Sequence, residues 1–196
     1  MGNGLDPINL GNGRTATQIS AMKDNTCALL DNSTVKCWGK ATSGMLGVTD
    51  PAKRGTDPNH MGDNLNAINL GSTGNPIQIA SGWYHTCVIF DNGKVKCWGY
   101  GAFGSLGKEN GENLGDHNGE MGDSLTYIEL GNDPSGNPYK VVSMAAGLYQ
   151  TCAILHDGNV KCWGDSSYGA LGDGQAALDI GKETGSMGNS LNAINL

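Results

Sequence analysis

Along this chain the apolar residues come in short bursts separated by polar, glycine-rich stretches. In the middle of the sequence, IQIA from Ile77, TCVIF from Thr86 and KVKCWG from Lys94 each combine β-branched or aromatic residues over a few positions and read as strands. NLNAINL from Asn64 offers a fourth segment with a weaker strand pattern. TCVIF is apolar at successive positions instead of alternating, which fits a sheet sandwiched between neighbouring sheets.

The same segments recur. MGNGLDPINL at Met1 returns as MGDNLNAINL at Met61, MGDSLTYIEL at Met121 and MGNSLNAINL at Met187. TCALLDNSTVKCWG from Thr26 returns from Thr86 and from Thr151, and each copy is followed by GMLG, GSLG or GALG. The period divides the chain into repeat 1 (1–60), repeat 2 (61–120), repeat 3 (121–186) and a partial repeat (187–196), read as the closing or joining first strand of a fourth. Repeat 3 carries extra residues around DPSGNPY from Asp133, a loop insertion that costs little. Four short strands in about sixty residues make the signature of a propeller blade. The expected fold is therefore all-β, with blades of four-stranded antiparallel sheets. Three units are too few to close a ring and leave sheet edges open. The matching ends point either to other repeats of a longer chain or to self-association, in which copies join end to end as a filament or ring.

Hairpin counting places the cysteines. Cys87 and Cys97 are symmetric about Asn92, which predicts a three-residue loop, Asp91-Asn92-Gly93, with Gly93 in the left-handed conformation. Gly158 takes that place in repeat 3 and Ser33 in repeat 1, where strain or a reshaped turn is expected. Cys87 and Cys97 then face each other on a non-hydrogen-bonded pair, where Cα atoms lie about 4.5 Å apart. The count repeats for Cys27 with Cys37 and Cys152 with Cys162. Cross-strand disulfides are the favoured reading over reduced packing cysteines, and no close pair of cysteines suggests a metal or redox site. Three disulfides imply an oxidising compartment, extracellular or cell-surface.

Composition supports this picture. Thirty-two glycines among 196 residues argue against helices, since each costs roughly 1 kcal/mol relative to Ala in a helix interior. A net charge of -7 without a basic cluster excludes nucleic acid as an expected partner, and no apolar run is long enough for membrane insertion. Trp38, Trp98 and Trp163 recur with the cysteines and read as packing between blades. The non-repeating aromatics Trp83, Tyr84, Tyr100, Phe103 and Tyr149 are candidates for a binding surface toward a protein or a glycan. His85 occurs in one repeat only and reads as a polar strand-edge residue. Glu109, Glu112, Asp116 and Glu120, with Asp123, are candidate Ca²⁺ ligands by chemistry, but their spacing matches no EF-hand and a solvated loop is favoured. Asn32-Ser33-Thr34 is an N-glycosylation pattern on a hairpin turn. No acid–base pair or nucleophile–base set recurs, so neither an enzyme nor a cofactor is expected.

The stretch from Ser81 to Gly107, SGWYHTCVIFDNGKVKCWGYGAFGSLG, resembles the repeat of the regulator of chromosome condensation family, and the likeness extends over the whole chain. The resemblance implies a β-propeller of four-stranded blades. The paired cysteines resemble the variant in large secreted microbial proteins. Family members include a GTPase exchange factor and an enzyme inhibitor. The function expected is an extracellular structural, assembly or adhesion scaffold, with a specific protein-binding propeller of inhibitor or exchange-factor type as the alternative.

Overall fold

The structure is a computed structural model that describes residues 4, 6–49, 54–174 and 178–195. It contains three antiparallel sheets of three strands each, in chain order within each sheet. The first is formed by β1 (Ala16–Ala21), β2 (Asn25–Leu30) and β3 (Val35–Gly39). The second comprises β4 (Pro76–Ser81), β5 (His85–Phe90) and β6 (Val95–Gly99). The third comprises β7 (Val141–Ala146), β8 (Gln150–Leu155) and β9 (Val160–Gly164). These are blades of β-propeller type, and the described residues include no α-helix.

The register follows the hairpin count. Cys27 pairs with Cys37, Cys87 with Cys97 and Cys152 with Cys162, and each pair is disulfide-bonded with Cα atoms 4.1 Å apart. The β5–β6 loop closes by Phe90 N–H to Lys94 O (2.9 Å) and Gly93 N–H to Phe90 O (2.8 Å), with Gly93 at φ +78°. Ser33 makes the same turn at φ +60°, so the side chain is accommodated without reshaping the loop. A bulge interrupts the first strand of every blade, and leaves Ile77 and Val142 exposed on the bulged residue.

Two expectations need correction. The decapeptide segment contributes no fourth strand. It runs extended beside the last strand of the preceding sheet and makes one bond to it: Ile68 N–H to Val35 O, Ile128 N–H to Val95 O and Ile194 N–H to Val160 O. The remaining backbone groups of the segment are not laddered, because a short helical turn (Gly62–Asn64, Gly122–Ser124, Gly188–Ser190) swings it inward just before the contact. For the same reason residues 187–195 complete the third blade instead of opening a fourth.

Two apolar cores fill the spaces between blades. One joins Cys27, Leu29 and Val35 to Ile79, Phe90 and Trp98, and the other joins Cys87, Ile89 and Val95 to Met144, Leu155 and Trp163. Each blade therefore turns its disulfide toward the following blade and its tryptophan toward the preceding one. Trp98 and Trp163 are fully buried, whereas Trp38, on the first blade, is only half-buried.

A lysine ties each joint. Lys96 Nζ donates to Leu70 O (2.8 Å) and Gly122 O (3.0 Å), and Lys161 and Lys36 make the equivalent bonds to Leu130 and Gly188 and to Leu10 and Gly62. Burial lowers the pKa of Lys96 and of Lys161, yet the carbonyls give the buried ammonium the partners it needs. Gly44 and Gly104, inside the GxLG strings, sit at φ +73° and +76° where the backbone of the next repeat passes; a Cβ at Gly104 would lie 2.4 Å from Ile180 O.

Candidate functional site

The tight turns between the first two strands of each blade lie at one end of the sheets: residues 22–24, 82–84 and 147–149. Each is closed by a short backbone bond, Met22 N–H to Asn25 O, Gly82 N–H to His85 O and Gly147 N–H to Gln150 O. The chain leaving each third strand returns to the same end, because Lys40, Tyr100 and Asp165 donate their N–H to the carbonyls of Asp24, Tyr84 and Tyr149. Trp83 N–H to Gly147 O (3.1 Å) joins the second and third turns, and Gly82 lacks the Cβ that would strike that carbonyl.

On this frame four of the five sequence-predicted aromatics meet. Tyr84 stacks on Tyr149 with ring centres 5.4 Å apart and planes 8° apart. Phe103 lies 4.4 Å from Tyr149, and Tyr100 sits about equally far from Tyr84 (6.1 Å), Tyr149 (6.0 Å) and Phe103 (6.2 Å). All four are half-buried, so one edge of the cluster meets solvent. Trp83, more exposed, stands at its border. Lys23 links it to the cluster, lying 5.8 Å above the Trp83 ring and donating to Tyr84 Oη at 3.0 Å. The Tyr84 hydroxyl raises the Lys23 pKa, and burial raises that of Tyr149.

The cluster rests on a buried polar relay. Ser105 Oγ donates to Tyr100 O (2.7 Å), Ser105 O accepts from Trp163 Nε1 (3.0 Å) and Thr151 Oγ1 (3.3 Å), and Thr151 Oγ1 lies 2.8 Å from His85 Nε2. Because the threonine proton is directed to Ser105 O, His85 is the donor to Thr151 and is neutral with its hydrogen on Nε2. Its Nδ1 is buried without a partner, and burial lowers its pKa to about 4. His85 is therefore a fully buried link between blades, not a strand-edge residue.

Lys23 and Leu148 were not singled out from the sequence, although both align in the repeat with Trp83. That alignment was the available signal. Leu148 is exposed beside the cluster, and Tyr168, the repeat-3 counterpart of Phe103, is fully exposed.

The acidic stretch behaves differently. Asp116 and Glu120 converge with His117, their ligand atoms within 4.8 Å of one another. Glu120 Oε2 accepts the N–H groups of Gly115 (2.8 Å), Asp116 (3.1 Å) and His117 (2.9 Å), and in repeat 3 the hydroxyl of Ser186 accepts Gly181 N–H at the same place. The carboxylate is thus a loop cap. Glu109 accepts Met187 N–H at 2.7 Å, Glu112 accepts from Asn110, and Asp123 accepts Ser72 N–H, so these are spent elsewhere and not gathered into a cation site. Asn32 is exposed at the opposite end of β2, its Oδ1 accepting from Thr34 Oγ1 at 2.7 Å.

The regulator of chromosome condensation (RCC1) repeat model matches residues 77–105 and 141–170. The chain is 29% identical over 164 residues to the human probable E3 ubiquitin-protein ligase HERC4, covering 83% of this chain and 14% of that protein. It is 31% identical over 99 residues to the ultraviolet-B receptor UVR8 of Arabidopsis thaliana, covering 50% of this chain and 20% of the receptor. Among solved structures, human WBSCR16 superposes with a TM-score of 0.68 at 20% identity, over 93% of this chain and 40% of that one. Yeast RCC1 (Prp20), in its complex with Kap60, gives a TM-score of 0.63 at 17% identity over 92% and 37%. The chain thus spans well under half of each of these proteins. No described helix is long and apolar enough to cross a membrane. The regulator of chromosome condensation repeat is thus matched in two units of this chain, its strand register recurs in all three, and both solved structures share its fold.

Proposed function

We propose that this chain is a non-enzymatic protein-binding module of an exported protein, and that it binds through the aromatic end of its blades. The observation that carries this is the convergence of Tyr84, Tyr100, Phe103 and Tyr149, half-buried and rigidly framed, with Trp83 and Lys23 at the border. Rigid tyrosine and tryptophan surfaces lose little side-chain entropy on binding and dominate interface energetics. A protein partner is favoured over a glycan because the cluster spans two blades, with four half-buried rings flanked by exposed Trp83 and Lys23 along one end of the sheets. That a propeller of this fold, yeast Prp20, is bound to Kap60 supports binding as a use the fold serves. The three disulfides support export to an extracellular or cell-surface setting.

The test is quantitative capture of secreted proteins on immobilised wild-type chain and on a W83A/Y149A variant of equal thermal stability. A partner retained by the wild type and bound about thirtyfold more weakly by the variant is the expected result. Equal capture by both baits would remove the aromatic end from consideration.

A further inference from the structure

The loop insertion of repeat 3 alters the corner where the β5–β6 loop meets the start of β7. One backbone bond marks this corner in every repeat: Asp31 N–H to Thr15 O, Asp91 N–H to Asn75 O and His156 N–H to Lys140 O. Repeats 1 and 2 thus place an aspartate here and use it locally, Asp31 accepting Thr15 N–H and Asp91 accepting from Asn75 Nδ2. Repeat 3 has His156 in place of the aspartate, and Lys140 stands where Thr15 and Asn75 do. The position before it, Arg14 and Gly74 in the other repeats, is Tyr139. A groove of about 390 Å³ lies at this corner, with Asn92 and Lys94 of the second blade on one side and Asn137, Tyr139, Lys140 and His156 of the third on the other.

The groove is held in shape from both blades. Val141 N–H donates to Gly93 O (2.8 Å), and a Cβ on Gly93 would lie 2.6 Å from the Lys140 Cβ. His156 Nδ1 accepts Lys140 N–H at 3.3 Å, so its hydrogen is on Nε2, which faces Asp133 Oδ2 at 3.5 Å. One imidazole therefore ties the lysine backbone to the inserted loop. The carboxylates nearby are turned into their own loops: Asp133 accepts Ser135 N–H (2.8 Å) and Asn137 N–H (2.9 Å), and Asp157 accepts Asn159 N–H (3.1 Å) and Nδ2 (2.8 Å). The cations are not spent in this way. Lys94 and Lys140 are exposed, and neither forms an ion pair among the described residues. Lys94 Nζ lies 4.9 Å above the Tyr127 ring, and buried Lys161 adds a third positive charge 4.8 Å above the ring of Tyr139.

We propose that this groove is a binding site for an acidic saccharide. Lys94 and Lys140, one from each blade, take its carboxylate or sulfate in charge-assisted hydrogen bonds. The exposed carboxamides of Asn92 and Asn137 meet its hydroxyls, and Tyr139 with Pro138 supplies an apolar wall for the ring. The volume is that of a small-molecule site, in which a few polar groups orient a ligand against an apolar wall. A bare anion would leave that wall and the carboxamides unused, and a neutral sugar would leave both ammonium groups without a counter-charge. The groove lies at the hairpin-loop end of the sheets, opposite the aromatic cluster, so the two sites work independently.

The test is titration calorimetry of the non-reduced chain at low salt with digalacturonate, lactose sulfate, lactose and inorganic sulfate as probes. At least one acidic disaccharide binds, and which one does tells a carboxylate site from a sulfate site. It binds about tenfold more tightly than lactose or inorganic sulfate, and added salt weakens it. Lys94→Gln and Lys140→Gln each weaken it about tenfold, as expected when one charged hydrogen bond is lost. Both side chains are exposed, so both variants fold, and matching thermal melts confirm it. The W83A/Y149A variant binds the same probe as wild type does, which separates this site from the aromatic end. Failure of both acidic disaccharides to bind at millimolar concentration overturns the proposal. So does binding no tighter than that of lactose or inorganic sulfate, and so does binding indifferent to both lysine substitutions.

Discussion

At the scale of single residues, His85 sets a pH dependence. Its folded pKa of about 4 lies below the ordinary value of 6.5, so between these limits the unfolded chain takes up a proton that the folded chain refuses. Its contribution is complete above pH 6.5, is lost progressively as pH falls to about 4, and amounts to about 3 kcal/mol. Denaturant unfolding at several pH values should show that loss in wild type. H85Q, which installs the residue found at the equivalent Gln150, should flatten it. A profile unchanged by H85Q would mean that the imidazole is solvated. Ser33 is the second case. It holds φ +60°, where Gly93 and Gly158 stand in the other blades. S33G should raise stability by about 0.5–1 kcal/mol, because the gain from relieving a left-handed side chain exceeds the entropy glycine adds to the unfolded chain. No gain in chemical denaturation would indicate that the Asn32–Thr34 bonds already absorb the strain.

At the scale of elements, each blade is held by a disulfide across its hairpin and a lysine across its joint. Replacing Cys87 and Cys97 together by alanine should cost about 3 kcal/mol for a crosslink of this loop length. Reduction of the wild type, which breaks all three bridges, should cost more than this single replacement in the same melt. Lys96→Met should cost a similar amount, about 3 kcal/mol, for a different reason: it strands two buried carbonyls, Leu70 O and Gly122 O, that the ammonium now satisfies. A K96M protein as stable as wild type would show that water replaces the ammonium.

At the scale of the whole molecule, stability should be graded from the middle outward. The second blade has apolar joints on both sides, while the outer faces of the first and third carry exposed Ile19 and Ile154. Amide hydrogen exchange of the monomer should be slowest in β5 and β6 and faster in β1 and in β8, following the apolar area each strand buries. Uniform protection across the three blades would mean that the outer faces are covered in solution.

Much of this was legible in the residues. The strands, the three-residue loops, the cysteine register and the recurring tryptophans all follow from local spacing, and a β-hairpin converts local spacing directly into contacts. The aromatic candidates could be picked out by residue type, although Tyr84 and Tyr149 hold the same place in successive repeats and only folding brings them together. What local spacing could not decide was any relation between repeats. The decapeptide looks like an opening strand when read along the chain, but its isoleucine bonds to the strand before it, because a helical turn redirects it. His85 looks like an edge residue, yet the next blade buries it and supplies Thr151. The acidic loop reads as a solvated loop, and only its folded backbone shows Glu120 capping three N–H groups with Asp116 and His117 beside it. The sequence by itself thus determined the blade, whose contacts lie within about fifteen residues of each other; only the tertiary structure decided how blades meet, since that depends on groups some sixty residues apart that share a face only after each sheet has formed.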